Sequence, residues 1–231
     1  MELIWEGIKG AFSQLFSNPE VWEITWLSLQ VSGISTVISL IIGLPLGTWL
    51  ALGRMLGRGC LLSLVNTGMA LPPVVVGLVV SIFLWRSGPL GDLHWIYTPI
   101  AIVIAQTIIA TPVFTGLTVA ALQQLDPRLS QQLLGLGASR LQMVRALWHE
   151  ARLPLLAALM AAFGSVISEV GASMMVGGNI RHETRVLTTA IVLETGRGQF
   201  ASAIALSVIL LLLAFLVNYA LTWIQQRGAR R

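Results

Sequence analysis

The chain has 231 residues, 55% of them hydrophobic and 10% charged, with a mean hydropathy of +0.81. Soluble domains carry roughly 25% charged residues, so a water-soluble enzyme of this length is all but excluded and a membrane protein is indicated. The formal net charge of +4 comes from 14 basic and 10 acidic residues, but the Arg residues fall in short loops between apolar stretches, where they read as a topology signal and not as a nucleic-acid surface.

A membrane span needs about 20 apolar residues, which leaves room for five or six helices and no appended soluble domain. Residues 1–22 come first. Leu3, Ile4, Ile8, Phe12, Leu15 and Phe16 recur at helical spacing among Glu2, Glu6 and Lys9, which predicts an amphipathic helix lying in the interface and ending near Asn18 and Pro19. This stretch lacks the basic start and uninterrupted apolar core of a cleavable signal peptide, so it is expected to be kept. Five spans follow, over residues 25–52, 60–85, 98–123, 153–177 and 200–224, each long enough to cross with tilt. Leu187 to Leu193 is too short to cross and reads as a re-entrant or interfacial helix. Residues 226–231 form a basic tail. The single Cys60 excludes an intrachain disulfide and a Cys-based metal cluster.

Five crossings put the termini on opposite sides. Arg54 and Arg58, then Arg128, Arg140, Arg145 and Arg152, then Arg227, Arg230 and Arg231 share one side, nine of the fourteen basic residues. The positive-inside rule places that side in the cytoplasm and the N-terminus outside. Trp26, Trp49, Trp85 and Trp223 fall near predicted span ends, where an aromatic belt would sit. Pro45, Pro72, Pro73 and Pro112 interrupt the spans; lipid tolerates the freed carbonyls only where neighbouring helices or a watery cavity satisfy them. Such kinks serve packing or line a pathway.

The loop 126–152 is the most informative stretch. Asp126 can cap a helix starting at Pro127, Gly137 can end it, and Ser139 can cap the next, giving a helical hairpin. Leu129, Leu133 and Leu136 share a face of the first helix, and Leu141, Val144 and Trp148 a face of the second. Amphipathic helices outside the bilayer need a protein groove to cover those faces. The loop resembles the cytoplasmic coupling segment of binding-protein-dependent ABC importers, in which Glu-Ala-Ala-x-x-x-Gly is followed downstream by Leu-Pro. Gly137, Ala138 and Ser139 match the Gly and its usual successors, and Leu153-Pro154 matches the Leu-Pro. Gln131, Gln132 and Leu133 stand where Glu-Ala-Ala would be, and Pro154 lies further downstream than in most members. The resemblance implies an ATPase-docking role for Gln131, Gly137, Ala138, Ser139, Leu141 and Val144.

A second stretch narrows the family. Ile167-Ser-Glu-Val-Gly-Ala-Ser-Met-Met-Val-Gly-Gly-Asn-Ile180, Thr184-Arg-Val-Leu-Thr-Thr-Ala-Ile191, Glu194-Thr-Gly-Arg-Gly198 and Leu71-Pro-Pro-Val-Val-Val-Gly77 are similar to the permease subunits for tungstate, relatives of the molybdate and sulfate permeases. The similarity covers residues 23–225. Within it, Glu169 is the one ionisable residue well inside a predicted span, and such a residue must face protein or water. Ser165, Glu169 and Ser173 are spaced by four, which predicts one polar stripe on the fourth span. An ionised Glu169 would repel an oxyanion, so a structural or gate-holding hydrogen bond is favoured over substrate contact. Gly164, Gly171, Gly177 and Gly178 allow close helix approach. Beyond the span, Asn179, Arg181, His182 and Arg185, with Arg197, form an outer mouth that either steers anions or mixes with Glu183 and Glu194 as a solvated or docking surface.

No G-x-x-x-x-G-K-[ST] occurs, so no phosphate loop binds ATP here. The three His residues lack metal-ligand spacing, and no Ser sits in G-x-S-x-G. The expectation is therefore an all-α integral membrane chain without metal or cofactor, similar to the permeases of type I ABC importers. It comprises an N-terminal interfacial helix (1–22), a permease domain of five transmembrane helices (23–225) with a cytoplasmic coupling hairpin (126–152), and a basic tail (226–231). The resemblance implies alternating access as a homodimer in a prokaryotic inner membrane, with separate ATPase subunits and an extracytoplasmic oxyanion-binding protein. Tungstate is the leading cargo and molybdate or sulfate the alternative. A secondary transporter would usually show two repeated halves, which this sequence lacks.

Overall fold

The computed structural model describes residues 18–53 and 55–229, and every regular element among them is helical. The interfacial helix expected for residues 1–22 lies outside the described residues up to position 17. Asn18 marks the start of the first helix, α1 (Pro19–Leu52), by accepting the Glu20 N–H on its side-chain oxygen at 3.0 Å, with Pro19 in the first helical position. Pro45 is carried inside this helix. Arg58 closes its other end by donating to the Leu50 and Ala51 carbonyls at 2.7 and 3.5 Å, as a cation near a helix C-terminus should.

The second predicted span is two helices, α2 (Arg58–Met69) and α3 (Pro73–Leu84), bent by 98° at Pro72-Pro73. At 12 residues each and 1.5 Å per residue, neither half crosses alone. A 3₁₀ turn at Gly91–Leu93 leads to α4 (Pro99–Gln123), which keeps Pro112 inside. The hairpin α5 (Pro127–Gly135) and α6 (Arg140–Glu150) follows. The fourth predicted span divides into α7 (Arg152–Ile167) and α8 (Gly171–Gly177), and α7 meets α6 at 73°. The short apolar piece is a helix, α9 (Leu187–Gly196), and α10 (Phe200–Ala229) absorbs the first residues of the expected tail. Among the described residues three helices, α1, α4 and α10, are long and apolar enough to cross unbroken, and up to five crossings arise if the bent pairs α2–α3 and α6–α7 each count as one.

α1 packs along α4 through small buried residues, Ser35, Ser39, Gly43 and Gly47. A Cβ on Gly47 would stand 2.7 Å from the Thr118 Cβ and 2.8 Å from the Thr115 carbonyl, so the glycine permits the approach. Around this pair lie three apolar clusters. One joins α3, α4 and α8 through Val80, Ile102 and Val176; one joins α1, α9 and α10 through Ile24, Leu187 and Leu206; one joins α4 and α7 through Phe114 and Val166.

The contacts sort the loops into two ends. Glu20 meets Arg181 and Arg185, and Tyr97 donates its N–H to the Val176 carbonyl, so residues 97 and 178–186 lie by the start of α1. At the far end Trp148 bonds Thr48 and Gln225 bonds the Leu153 carbonyl, so the hairpin and the end of α10 share that end with Arg58. Among the described residues, Arg58 and the hairpin thus stand at one end and Arg181 and Arg185 at the other.

Candidate functional site

Glu169 stands in the break between α7 and α8, and is 5% exposed. Its Oε1 accepts the Ala172 N–H at 2.7 Å; its Oε2 accepts the Ser173 N–H at 2.9 Å and the Ser173 hydroxyl at 2.8 Å. The carboxylate thus closes the start of α8, where free N–H groups gather. The expected continuous stripe is corrected by this break. Glu169 and Ser173 do come together, but Ser165 turns back to the Ala162 carbonyl at 2.7 Å and joins neither. The spacing of four held no stripe because helical periodicity stops at Ser168. Gly171 lies against α3: a Cβ there would meet Val74 Cγ2 at 2.6 Å. The carboxylate accepts three bonds from the chain's own donors, and as an acceptor it has nothing to offer an anion.

In the hairpin, the Asp126 side chain accepts the Arg128 N–H at 2.8 Å, and Ser139 forms a capping box with Gln142. Gly137 adopts φ +84, and nothing lies within 4 Å of a Cβ built on it. A side chain here would crowd nothing; the left-handed backbone is what demands glycine, at about 1–2 kcal/mol for other residues. Gly137→Ala and Gly137→Leu should then impair uptake equally and partially, and Gly137→Asn less. Parallel uptake assays of the three test this, and a Leu variant far worse than Ala would return the argument to bulk.

The apolar faces of the hairpin divide. Leu129, Met143 and Trp148 pack with Leu122, Leu147 and Ala151, and Trp148 Nε1 donates to Thr48 Oγ1 of α1 at 2.8 Å. Leu136 is 85% exposed, Leu141 58% and Leu134 47%. Gln131 and Ser139 are exposed, and Ala138 and Val144 are half-buried.

At the opposite end Arg181 pairs with Glu20 through both guanidinium and carboxylate, Arg185 Nη1 reaches Glu20 Oε1 at 3.1 Å, and Arg185 Nε donates to Asn179 Oδ1 at 3.3 Å. His182 Nδ1 lies 2.7 Å from Glu23. The hydrogen bond to Glu20 holds the Arg181 guanidinium above its ordinary value. The partners of this outer cluster are thus the glutamates of α1, not Glu183; Arg197 alone pairs as its neighbourhood suggested, with Glu194 at 3.2 Å. Paired charges project little field. Arg181→Gln should change uptake less than about twofold at any ionic strength, since exposed pairs contribute little. Arg185→Gln should do more, because its side chain is 14% exposed and ties residues 178–186 to α1. Uptake across a salt series checks this; an effect of Arg181→Gln that grew at low salt would restore steering.

Two participants escaped the sequence. Gln106, 2% exposed in α4, donates to the Val166 carbonyl at 3.2 Å, just before the break; an amide within an apolar run was the available signal. Glu20 was hidden by its distance of 161 positions from Arg181.

Residues 43–230 match the family described as the binding-protein-dependent transport system inner membrane component. The chain is 36% identical over 227 residues to the tungstate uptake system permease protein TupB of Peptoclostridium acidaminophilum, covering 98% of this chain and 100% of that one. It is 40% identical over 201 residues to a probable anion ABC transporter permease protein of Haloferax volcanii, covering 85% and 87%. In fold it is similar to a chain of the MetNI methionine ABC transporter in an inward-facing conformation, with a TM-score of 0.73 at 22% identity over 92% of this chain and 99% of that one. Helices fit to span, a family match over most of the length and a relative aligned end to end agree: the chain belongs to the inner membrane components of binding-protein-dependent transport systems, the permeases of ABC importers.

Proposed function

We propose that this chain is the permease subunit of an ATP-driven, binding-protein-dependent importer of an oxyanion, tungstate foremost, and that it works by alternating access as a homodimer. The observation that carries the reading is the end-to-end similarity to a tungstate uptake permease. The geometry supports it in two ways. The hairpin offers exposed leucines at the end that collects the basic loops, where separate ATPase subunits would dock. The one carboxylate inside the fourth span is consumed by α8, so it does not oppose an anion. By the positive-inside rule the hairpin end is cytoplasmic and the start of α1 faces outward, toward an oxyanion-binding protein in a prokaryotic inner membrane. ATP hydrolysis takes place in the partner subunits, and the two packings of the permease exchange as they open and close.

Tungstate accumulation in cells stripped of their own oxyanion uptake, supplied with this chain, its ATPase and its binding protein, tests the proposal. ATP-dependent tungstate uptake that survives excess sulfate is expected. Uptake of molybdate or sulfate in preference to tungstate would correct the cargo, and uptake independent of the ATPase would overturn the class.

A further inference from the structure

Carbonyls set free by a helix break must find donors, because lipid supplies none. In an unbroken helix the Val166 carbonyl would accept from the N–H four residues on. Here it accepts the Glu169 N–H at 3.2 Å and the Gln106 Nε2–H of α4 at 3.2 Å. The same amide accepts the Ser35 hydroxyl of α1 on Oε1 at 3.3 Å. On the far side of the break, Thr188 of α9 donates its hydroxyl to the Glu169 carbonyl at 2.9 Å. Gln106, Ser35, Val166 and Thr188 are all buried. A side chain that bridges a hydroxyl and a carbonyl needs a donor and an acceptor at one tip, which an amide has and a carboxylate or an alkyl group lacks.

We propose that Gln106 is the positioning residue of this break. By holding the Val166 carbonyl it sets how α8 leaves α7, hence where the Glu169 carboxylate stands, and through that the rate at which the permease changes state. Gln106 touches no cargo in this role. The two bonds of its amide are unequal: the single Ser35 proton also faces the Val31 carbonyl at 2.7 Å and the Val103 carbonyl at 3.2 Å, so Ser35 holds Gln106 weakly while Gln106 holds Val166 directly. The inference rests on the importer reading for its transport arm alone.

The experiment uses the full complex in lipid nanodiscs. Gln106→Met keeps volume and removes both hydrogen-bonding groups, while Ser35→Ala removes the weak partner alone. Amide hydrogen exchange in residues 168–176 should quicken roughly three- to tenfold in the Met variant, the scale of one hydrogen bond lost while the Val166 carbonyl keeps the Glu169 N–H, and less than about twofold in Ser35→Ala. Exchange in the hairpin 127–150 should stay unchanged in both. Maximal uptake should fall by a similar factor in Gln106→Met with the KM for loaded binding protein unaltered. Unchanged exchange at 168–176, faster exchange throughout the protein, an equal effect of Ser35→Ala, or a change confined to KM would each overturn the proposal. Should the Met variant fail to accumulate, Gln106→Asn, one methylene shorter, is read by the same criteria. A wild-type complex that carries no oxyanion would refute the importer reading, yet the exchange measurement would still decide the role of Gln106.

Discussion

Glu169→Leu should abolish uptake while the protein still inserts. The substitution strands the Ala172 and Ser173 N–H groups and the Ser173 hydroxyl, all now held by one carboxylate. Unsatisfied buried donors cost about 1–3 kcal/mol each, so two backbone groups alone amount to a large fraction of the ~5–15 kcal/mol by which proteins are stable. The start of α8 would rearrange before such a penalty was met, and a fall in uptake well beyond tenfold is expected. Sequence alone predicts that Glu169→Gln, which keeps shape and most hydrogen bonding, retains much of the transport if the residue is protonated or acts as a neutral partner. The geometry revises this. Both oxygens accept backbone N–H groups, and an amide can offer an oxygen to one of them and only an NH₂ to the other. The Gln variant should therefore fall between wild type and Leu. Initial uptake rates normalised to membrane-inserted protein decide the matter. Wild-type uptake in Glu169→Leu would end the structural account, and a Gln variant with intact expression but altered choice among tungstate, molybdate and sulfate would make Glu169 a cargo contact.

What could be read from the sequence was local. Asp126, Gly137 and Ser139 act within a few residues of themselves, so their consequences follow from order alone. Glu169 drew attention because an ionisable group within a span must be satisfied somewhere. Its partners could not be read, because the spacing of Ser165, Glu169 and Ser173 means a stripe only if the helix continues, and neither Ser168 nor Val170 is a strong breaker. The Pro72-Pro73 pair announces an interruption, but its 98° bend depends on the packing of α3 against α8. The pairing of Glu20 with Arg181 and Arg185 joins residues 161 and 165 positions apart. Periodicity carries no information about such meetings; only the fold brings the residues together.

Leu136→Asp with Leu141→Asp should leave an inserted permease that no longer retains its ATPase. From the sequence, Leu129, Leu133 and Leu136 form one docking face and Leu141, Val144 and Trp148 another. The structure gives these residues different occupations. Leu129 and Trp148 are turned into the protein, where Trp148 ties α6 to the end of α1, whereas Leu136, Leu141 and Leu134 stand in the open. Beside them a groove of about 820 Å³ runs between α1 and α6, lined by Trp49, Leu134, Arg140, Val144 and Trp148 among others. A partner covering Leu136 and Leu141 would gain about 1.5–3 kcal/mol for each side chain buried, and each 1.4 kcal/mol is tenfold in affinity. Losing both should weaken the complex by at least about a hundredfold, and an Asp forced into an apolar contact adds to the loss. Leu129→Asp should act otherwise, by loosening the hairpin itself, so it should lower the thermal stability of the isolated permease while the double variant leaves it unchanged. Co-purification of the ATPase and a melting curve of the permease, measured on both variants, separate the two effects. Retention of the ATPase by Leu136→Asp with Leu141→Asp would move the contact to another part of the end that carries the hairpin.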